Sequence, residues 1–206
     1  MASFYDRHIL PHLIACACAT KPIMRQRAKV VPRARGRVLE LGIGGGLNLG
    51  FYDPAKVTQV VGVDPSPGLR RKALAASRPE GLDVEVLDGE AEDLPFEAGA
   101  FDTIVCTFTL CSVREPAQVL AEARRVLKPE GTLLFSEHGL APDAAVQRWQ
   151  RRLEPLQTRL AGGCHLTRPV AASIAEAGFT LTEVDTMYLP GTPRPVGWCE
   201  WGAATP

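Results

Sequence analysis

Five short apolar runs, each closing on a polar or glycine-rich turn, constrain this chain more than any other feature. They are Val38–Leu41, Val57–Val63, Asp83–Leu87, Phe101–Phe108 and Thr132–Phe135, rich in β-branched and aromatic residues and shorter than an ordinary helix. Between the last two, Pro116 opens a stretch with apolar side chains at Val119, Leu120, Ala123, Val126 and Leu127. That is a helical period, and Lys128-Pro129-Glu130-Gly131 is expected to stop it. Strands alternating with helices predict an α/β fold, a mostly parallel sheet with helices on both faces. Further on, Thr167 can cap a helix running to Ala177, while Phe179–Tyr188 and Val196–Ala203 read as closing strands. At 206 residues, 46% apolar and 22% charged, the chain suits one domain with a small extension.

The first strand runs directly into Gly42-Ile43-Gly44-Gly45-Gly46-Leu47-Asn48. Glycines at a strand end allow a tight turn and a close approach of backbone to ligand. A dinucleotide fingerprint beginning at Gly42 would need its third glycine at position 47, which is leucine. The spacing is G-x-G-x-G instead, with Glu40 two residues ahead of it. Asp64 closes the second strand, 22 residues past Gly42, where a carboxylate can accept from ribose hydroxyls. Asp88 closes the third. Acids at three successive strand ends suit a ligand with a ribose, an exocyclic amine and a cationic centre, and disfavour one carrying phosphates.

Taken together these segments resemble the class I S-adenosylmethionine-dependent methyltransferases, from about Arg37 to Gly139. Leu39–Gly46 matches that family's first motif, Val63-Asp64 its second-strand acid, and Asp88-Gly89-Glu90 with Leu94-Pro95-Phe96 its adenine-contacting segment. Phe101-Asp102-Thr103-Ile104-Val105 and Arg125–Gly131 complete the set, with Glu130 where the family has glycine. The resemblance implies a Rossmann-like methyltransferase fold: a seven-stranded sheet, mostly parallel, with an antiparallel last strand. It implies S-adenosylmethionine as cofactor. Gly42, Gly44, Gly46 and Asn48 would cradle the methionine end, with Glu40 toward its ammonium. Asp64 would hold the ribose, Asp88, Gly89 and Glu90 the adenine, and a carbonyl near Cys106 would complete the amino-acid grip.

A narrower resemblance rests on Asn48-Leu49-Gly50-Phe51-Tyr52, Leu110-Cys111-Ser112-Val113, Glu137-His138 and Gly163-Cys164-His165-Leu166-Thr167-Arg168. These look like the methyltransferase-like alkyl thiol methyltransferases and their bacterial relatives. The resemblance implies methyl transfer to a small-molecule acceptor, with a thiol first; a lipid head group, a phenol or quinone, and arsenite are the alternatives. A nicotinamide-dependent oxidoreductase and a non-catalytic cofactor-binding protein are the rival classes. His138, at the end of the fifth strand, is the candidate general base, since histidine titrates near neutral pH. Cys111, Glu137, Cys164 and His165 are candidate substrate contacts. Residues 1–36 are expected to form an N-terminal helical cap on a methyltransferase domain spanning 37–206, with a lid insertion at about 140–168.

Lys+Arg and Asp+Glu are both 23, so nothing points to a nucleic-acid binder driven by net charge. The balance is uneven, however: residues 1–37 carry eight basic residues and one acid. That segment is expected to present a solvated cationic face, with docking to an anionic membrane surface as its functional alternative. Leu13–Ala19 is too short an apolar run to span a bilayer, and Pro11, His12 and Asp6 spoil a signal peptide. Six scattered cysteines point to reduced thiols and a cytoplasmic protein. Cys16-Ala17-Cys18 with Cys164 raises a soft-metal or arsenic site, but the Cys-x-Cys spacing is shorter than a zinc pair and a helix would splay the thiols. No metal is expected.

Overall fold

The computed structural model describes residues 10–206. Seven strands form one sheet in the order β3-β2-β1-β4-β5-β7-β6. They are β1 Gly36–Leu41, β2 Val57–Val63, β3 Val84–Leu87, β4 Phe101–Thr107, β5 Leu127–His138, β6 Thr180–Tyr188 and β7 Trp198–Thr205. The first five pair in parallel, and β7 inserts antiparallel between β5 and β6. The helices are α1 Leu10–Cys18, α2 Lys21–Val30, α3 Pro67–Ala75, α4 Pro116–Val126, α5 Ala144–Leu160, α6 Val170–Glu176 and the single turn α7 Arg194–Gly197. The central strands are buried on both faces, which is why they read as continuous apolar runs rather than alternating ones. One core cluster packs Leu39, Ile104 and Phe135 with α4 and α6 residues; the other packs Val38, Val60 and Val105 with α2 residues. The sheet reverses strand order between β1 and β4, which opens a crevice beyond the strand carboxyl ends.

Three local expectations change. Helix α4 ends at Val126, and β5 starts at Leu127, passing through Lys128-Pro129 rather than after Gly131. A residue ahead of proline avoids the helical region, so the chain turns straight from helix into strand. Thr167 does not cap α6, which begins at Val170 behind Pro169, for the same steric reason. Its first turn instead gives the Ala171 N–H to Glu200 Oε2 at 2.9 Å. The expected lid insertion holds a 17-residue helix, α5, with Pro155 inside it. Among the described residues, no helix is long and apolar enough to cross a membrane.

Candidate functional site

A cavity of about 450 Å³ opens beyond the carboxyl ends of the strands. Its floor comes from the turn after β1 (Gly42, Ile43, Gly44, Gly45), from Asp64 after β2 and from Gly89, Glu90 and Ala91 after β3. The segment after β4 adds Thr107 to Thr109 and Cys111 to Arg114, and His138 ends β5 on the same wall. Helices α1 and α2 cover it with Leu13, Ile14, Cys18 and Arg27, while Leu160 and Gly162 close it from the end of α5. Of the N-terminal cap expected over residues 1–36, Leu13, Ile14, Ala17, Cys18, Ile23 and Arg27 line the cavity; residues 1–9, including Asp6 and Arg7, lie outside the described residues.

The glycine turn is shaped by close approach. Gly42 sits at φ +63°, and a Cβ there would lie 2.6 Å from Thr109 Oγ1. Gly44, at φ +57°, meets nothing closer than the Gly42 carbonyl at 3.8 Å, so its open side faces free space on the cavity floor. Gly46 does not line the cavity; it packs against Ala73 and Ala76 at the end of α3. The Asp64 carboxylate, buried at the rim, accepts the Gly44 N–H at 2.9 Å and the Ser66 N–H at 2.8 Å. Burial raises its pKa, while those two bonds pull it back. Asp64 thereby fixes the turn and still has lone pairs free for a ligand hydroxyl.

Below that floor lies a polar network which sequence reasoning misplaces. Glu40 is only 1% exposed and does not line the cavity. Its oxygens accept from Asn48 Nδ2 at 2.9 Å and from Tyr52 Oη at 2.7 Å. Glu40, expected toward a ligand ammonium, sits here beneath the turn as a buried brace, and burial pushes its carboxyl up to about 7. Asn48 belongs to the same brace: its Oδ1 accepts from Arg27 Nη1 at 2.9 Å and its Nδ2 donates to Thr107 Oγ1 at 2.9 Å.

Arg27, counted from sequence among solvated cap cations, is only 6% exposed. Its Nη1 also donates to Thr107 Oγ1 at 2.6 Å, its guanidinium carbon lies 5.2 Å from the Phe108 ring centre, and its Nε finds no partner among the described residues. Phe108, which lines the cavity, holds φ +55°, a left-handed conformation that costs a residue with a β-carbon roughly 1–2 kcal/mol. Three more of these cations touch the sheet: Lys29 lies over Trp201, Arg33 pairs with Glu183, and Arg37 lies over Phe101, while Lys21, Arg25 and Arg35 are exposed. The expected solvated cationic face is to that extent consumed in packing.

The other candidates separate cleanly. Asp88 does not line the cavity; its side chain is 73% exposed and bridges to Arg70 at 2.7 Å, while Gly89 and Glu90 do face inward. Cys106 is buried in β4 with its sulfur 3.5 Å from Glu137 Oε1. Glu137, expected at the substrate, does not line the cavity. It is fully buried and accepts the N–H groups of Thr109, Leu110 and Cys111 at 2.7, 3.1 and 3.2 Å, which holds the loop after β4. His165 turns away to Glu154, Nδ1 to Oε1 at 2.9 Å, and its N–H binds the Cys111 carbonyl at 2.7 Å. Arg168 Nη1 binds the neighbouring Leu110 carbonyl.

Cys111, Cys164 and His138 all line the cavity, and their ligand atoms lie within 4.8 Å of one another. The two sulfurs are 3.6 Å apart and share a hydrogen bond. That bond and burial push the Cys111 thiol up, whereas the same bond, helped by His138, pulls Cys164 down to about 4 against burial. His138 also packs edge-on to Phe108, ring centres 5.0 Å apart. The soft-ligand cluster thus joins Cys164 to Cys111 and His138, not to the Cys16-Ala17-Cys18 run; Cys16 is exposed on α1.

The residues present fit S-adenosylmethionine. The open face of Gly44 and the Asp64 carboxylate suit a ribose and its link, and the acidic lining of Asp64, Glu90 and Glu92 suits a cationic ligand without phosphates. Arg27 puts a buried cation with a spare donor on the wall, where a carboxylate would meet it.

Comparison with known proteins agrees. A family model described as a methyltransferase domain matches residues 39–135. Thiol S-methyltransferase TMT1B of Rattus norvegicus is 37% identical over 164 residues, covering 78% of this chain and 66% of that protein. The Homo sapiens TMT1B is 35% identical over 170 residues, covering 80% and 69%. The chain spans about two thirds of the length of these relatives. A chain from the complex between the Haloferax volcanii Trm112 methyltransferase activator and its methyltransferase superposes with a TM-score of 0.72, over 96% of this chain and 97% of its own, at 17% identity. That last likeness shows the fold alone.

Proposed function

The chain belongs to the S-adenosylmethionine-dependent methyltransferases, which transfer a methyl group to an acceptor, here a small molecule, and on that premise we propose that the acceptor is a small, largely apolar thiol. The observation that carries this reading is the acceptor end of the cavity. Leu13, Ile14, Phe108 and Leu160 line the cavity together with Cys111, Cys164 and His138, and Ser112 and Gln157 lie beside the two sulfurs. The most similar relatives named above are thiol S-methyltransferases, which supports the same choice.

The bound cofactor supplies a methyl group on a sulfonium, which an acceptor must approach in line. The protein's part is to orient, desolvate and ionise. Asp64 and the Gly44 turn hold one end of the cavity rigid, and Arg27 anchors the other side of that floor. Positioning of two reactants is worth ~7–11 kcal/mol at best, and an apolar wall strips water from a nucleophile. A free thiol with pKa ~8.5 is already partly ionised near neutral pH, so the help required is modest. His138 is the side chain placed to give it. The remaining acceptor classes (lipid head groups, phenols or quinones, arsenite) are the alternatives that experiment separates. A labelled-methyl screen across thiols, phenols, amines, lipid head groups and arsenite tests this. Thiols should be labelled fastest; if they stay unlabelled while another class turns over, the thiol reading is wrong.

A further inference from the structure

We propose that Cys111, His138 and Cys164 form a three-ligand site for a thiophilic divalent cation such as Zn²⁺, with its fourth position open to the cavity. The geometry is the argument. A tetrahedral zinc with Zn–S ≈ 2.3 Å and Zn–N ≈ 2.0–2.1 Å needs sulfurs ~3.8 Å apart and each sulfur ~3.6 Å from the nitrogen. Here the sulfurs are 3.6 Å apart, and all three ligand atoms fall within 4.8 Å of one another. Small side-chain rotations suffice to close that difference.

The backbone around the ligands is held in place. Glu137 takes the Cys111 N–H at 3.2 Å, and the Cys111 carbonyl takes the His165 N–H at 2.7 Å, which ties the two cysteine segments together. His138 ends β5, whose partner β7 fixes it through the pairing with Cys199. The ligands come from three separate elements, the loop after β4, the end of β5 and the turn after α5, so nothing local brings them together.

Charge also balances. Two thiolates neutralise a divalent cation, which removes the cost of burying them, and Arg168 faces both sulfurs from α6's approach. On binding, Cys111 gives up its S–H proton to solvent, Cys164 binds as thiolate, and His138 binds through a neutral ring nitrogen. Two sulfurs, one imidazole and an open place is the ligand set of a catalytic zinc rather than a closed structural one. An acceptor thiol entering that place would bind as thiolate and release its proton to solvent, so that with the cation bound the ion, and not His138 as a base, would ionise it. That role rests on the thiol reading; the cation site itself does not.

The test uses the full reduced chain, stripped of metal and titrated anaerobically with Co²⁺ and, in competition with a chromophoric chelator, with Zn²⁺. We expect one Co²⁺ per chain with a thiolate-to-cobalt charge-transfer band and the visible bands of tetrahedral geometry. Cys111→Ser and Cys164→Ser should each weaken Zn²⁺ by roughly 100-fold or more, and His138→Ala by at least ~10-fold. Binding of S-adenosylhomocysteine, measured on each variant, reports whether it is folded. The double variant Cys16→Ser/Cys18→Ser should keep the band. Should the single variants fail to fold, Zn²⁺ protection of Cys111 and Cys164 from alkylation in the unaltered chain decides the matter. No band, a band that survives in both single variants, a band lost with Cys16 and Cys18, or unprotected Cys111 and Cys164 would each overturn the site. A small alkyl thiol added to the cobalt protein should shift the band. A band it leaves unmoved keeps the cation but removes its role in acceptor binding, and a phenol or amine turning over in place of thiols sinks the thiol reading without touching the cobalt result.

Discussion

Replacing Arg27 by methionine keeps the volume of the side chain and removes its charge and donors. Two bonds disappear, to Asn48 Oδ1 at 2.9 Å and to Thr107 Oγ1 at 2.6 Å. Thr107 Oγ1 keeps the Asn48 amide as donor, so Asn48 Oδ1 is the acceptor left bare. An unsatisfied buried group costs ~1–3 kcal/mol, partly offset because no cation is desolvated. At about 2–4 °C per kcal/mol for a domain of this size, melting should fall by roughly 2–12 °C. Cofactor binding gives the sharper result. If Arg27 meets the cofactor carboxylate, its loss removes a charge-assisted contact of ~1.5–3 kcal/mol, a factor of about 10–150 in affinity. Calorimetry with S-adenosylhomocysteine should show that loss. 5′-Methylthioadenosine has the same nucleoside and thioether without the amino-acid end, so its affinity should move by less than about threefold. Equal losses for both ligands would mean that Arg27 only braces the floor. Unchanged affinity for S-adenosylhomocysteine would refute the carboxylate contact altogether.

Asp64→Ala leaves the Gly44 and Ser66 N–H groups without an acceptor and removes the sugar's partner; S-adenosylhomocysteine affinity should drop ~10–100-fold, and a drop smaller than threefold would contradict the site. Glu137→Gln keeps one oxygen for the Thr109 and Leu110 N–H groups and turns its NH₂ toward the Cys111 N–H, so the urea midpoint should fall by the equivalent of ~1–3 kcal/mol, with faster hydrogen exchange at Cys111; an unchanged midpoint would show that the loop is held otherwise. Glu40 has its carboxyl raised from 4.5 to about 7, so between those values the folded chain keeps a proton that the unfolded chain releases. Its contribution to stability is therefore lost as pH rises through that window, by up to ~3 kcal/mol. Glu40→Gln should flatten this slope in denaturation curves between pH 5 and pH 8, and an identical slope in both proteins would disprove the assignment.

What the sequence by itself determined is what short-range chemistry specifies. Apolar runs at Val57–Val63 and Phe101–Thr107 could only be buried parallel strands, and the helical period over Val119, Leu120, Ala123 and Val126 is matched by their burial in α4. The Gly42/Gly44 turn followed by Asp64 was legible because a turn needs specific residue types at fixed spacing. Helix α5 had a readable period in Val146, Trp149, Leu153, Leu156 and Leu160, obscured by Pro155. Its pattern also misleads about burial, since Trp149, Leu156 and Leu160 are exposed while Gln150 is buried.

Tertiary structure alone decided which polar groups face the cavity. Glu40 and Asp64 both end strands after apolar runs, yet one braces the floor from beneath and the other reaches the rim. Arg27 looks like any cap cation until α2 presses it onto Thr107, 80 residues away in sequence. Cys111 and Cys164 are 53 residues apart and become a pair only when Glu137 pins one loop and His165 docks the other against it. Residue type and spacing specify the strand or helix a side chain belongs to. Which way it points, and what it meets there, follows from packing between distant elements, where the cost of burying an unpaired charge or donor selects one arrangement.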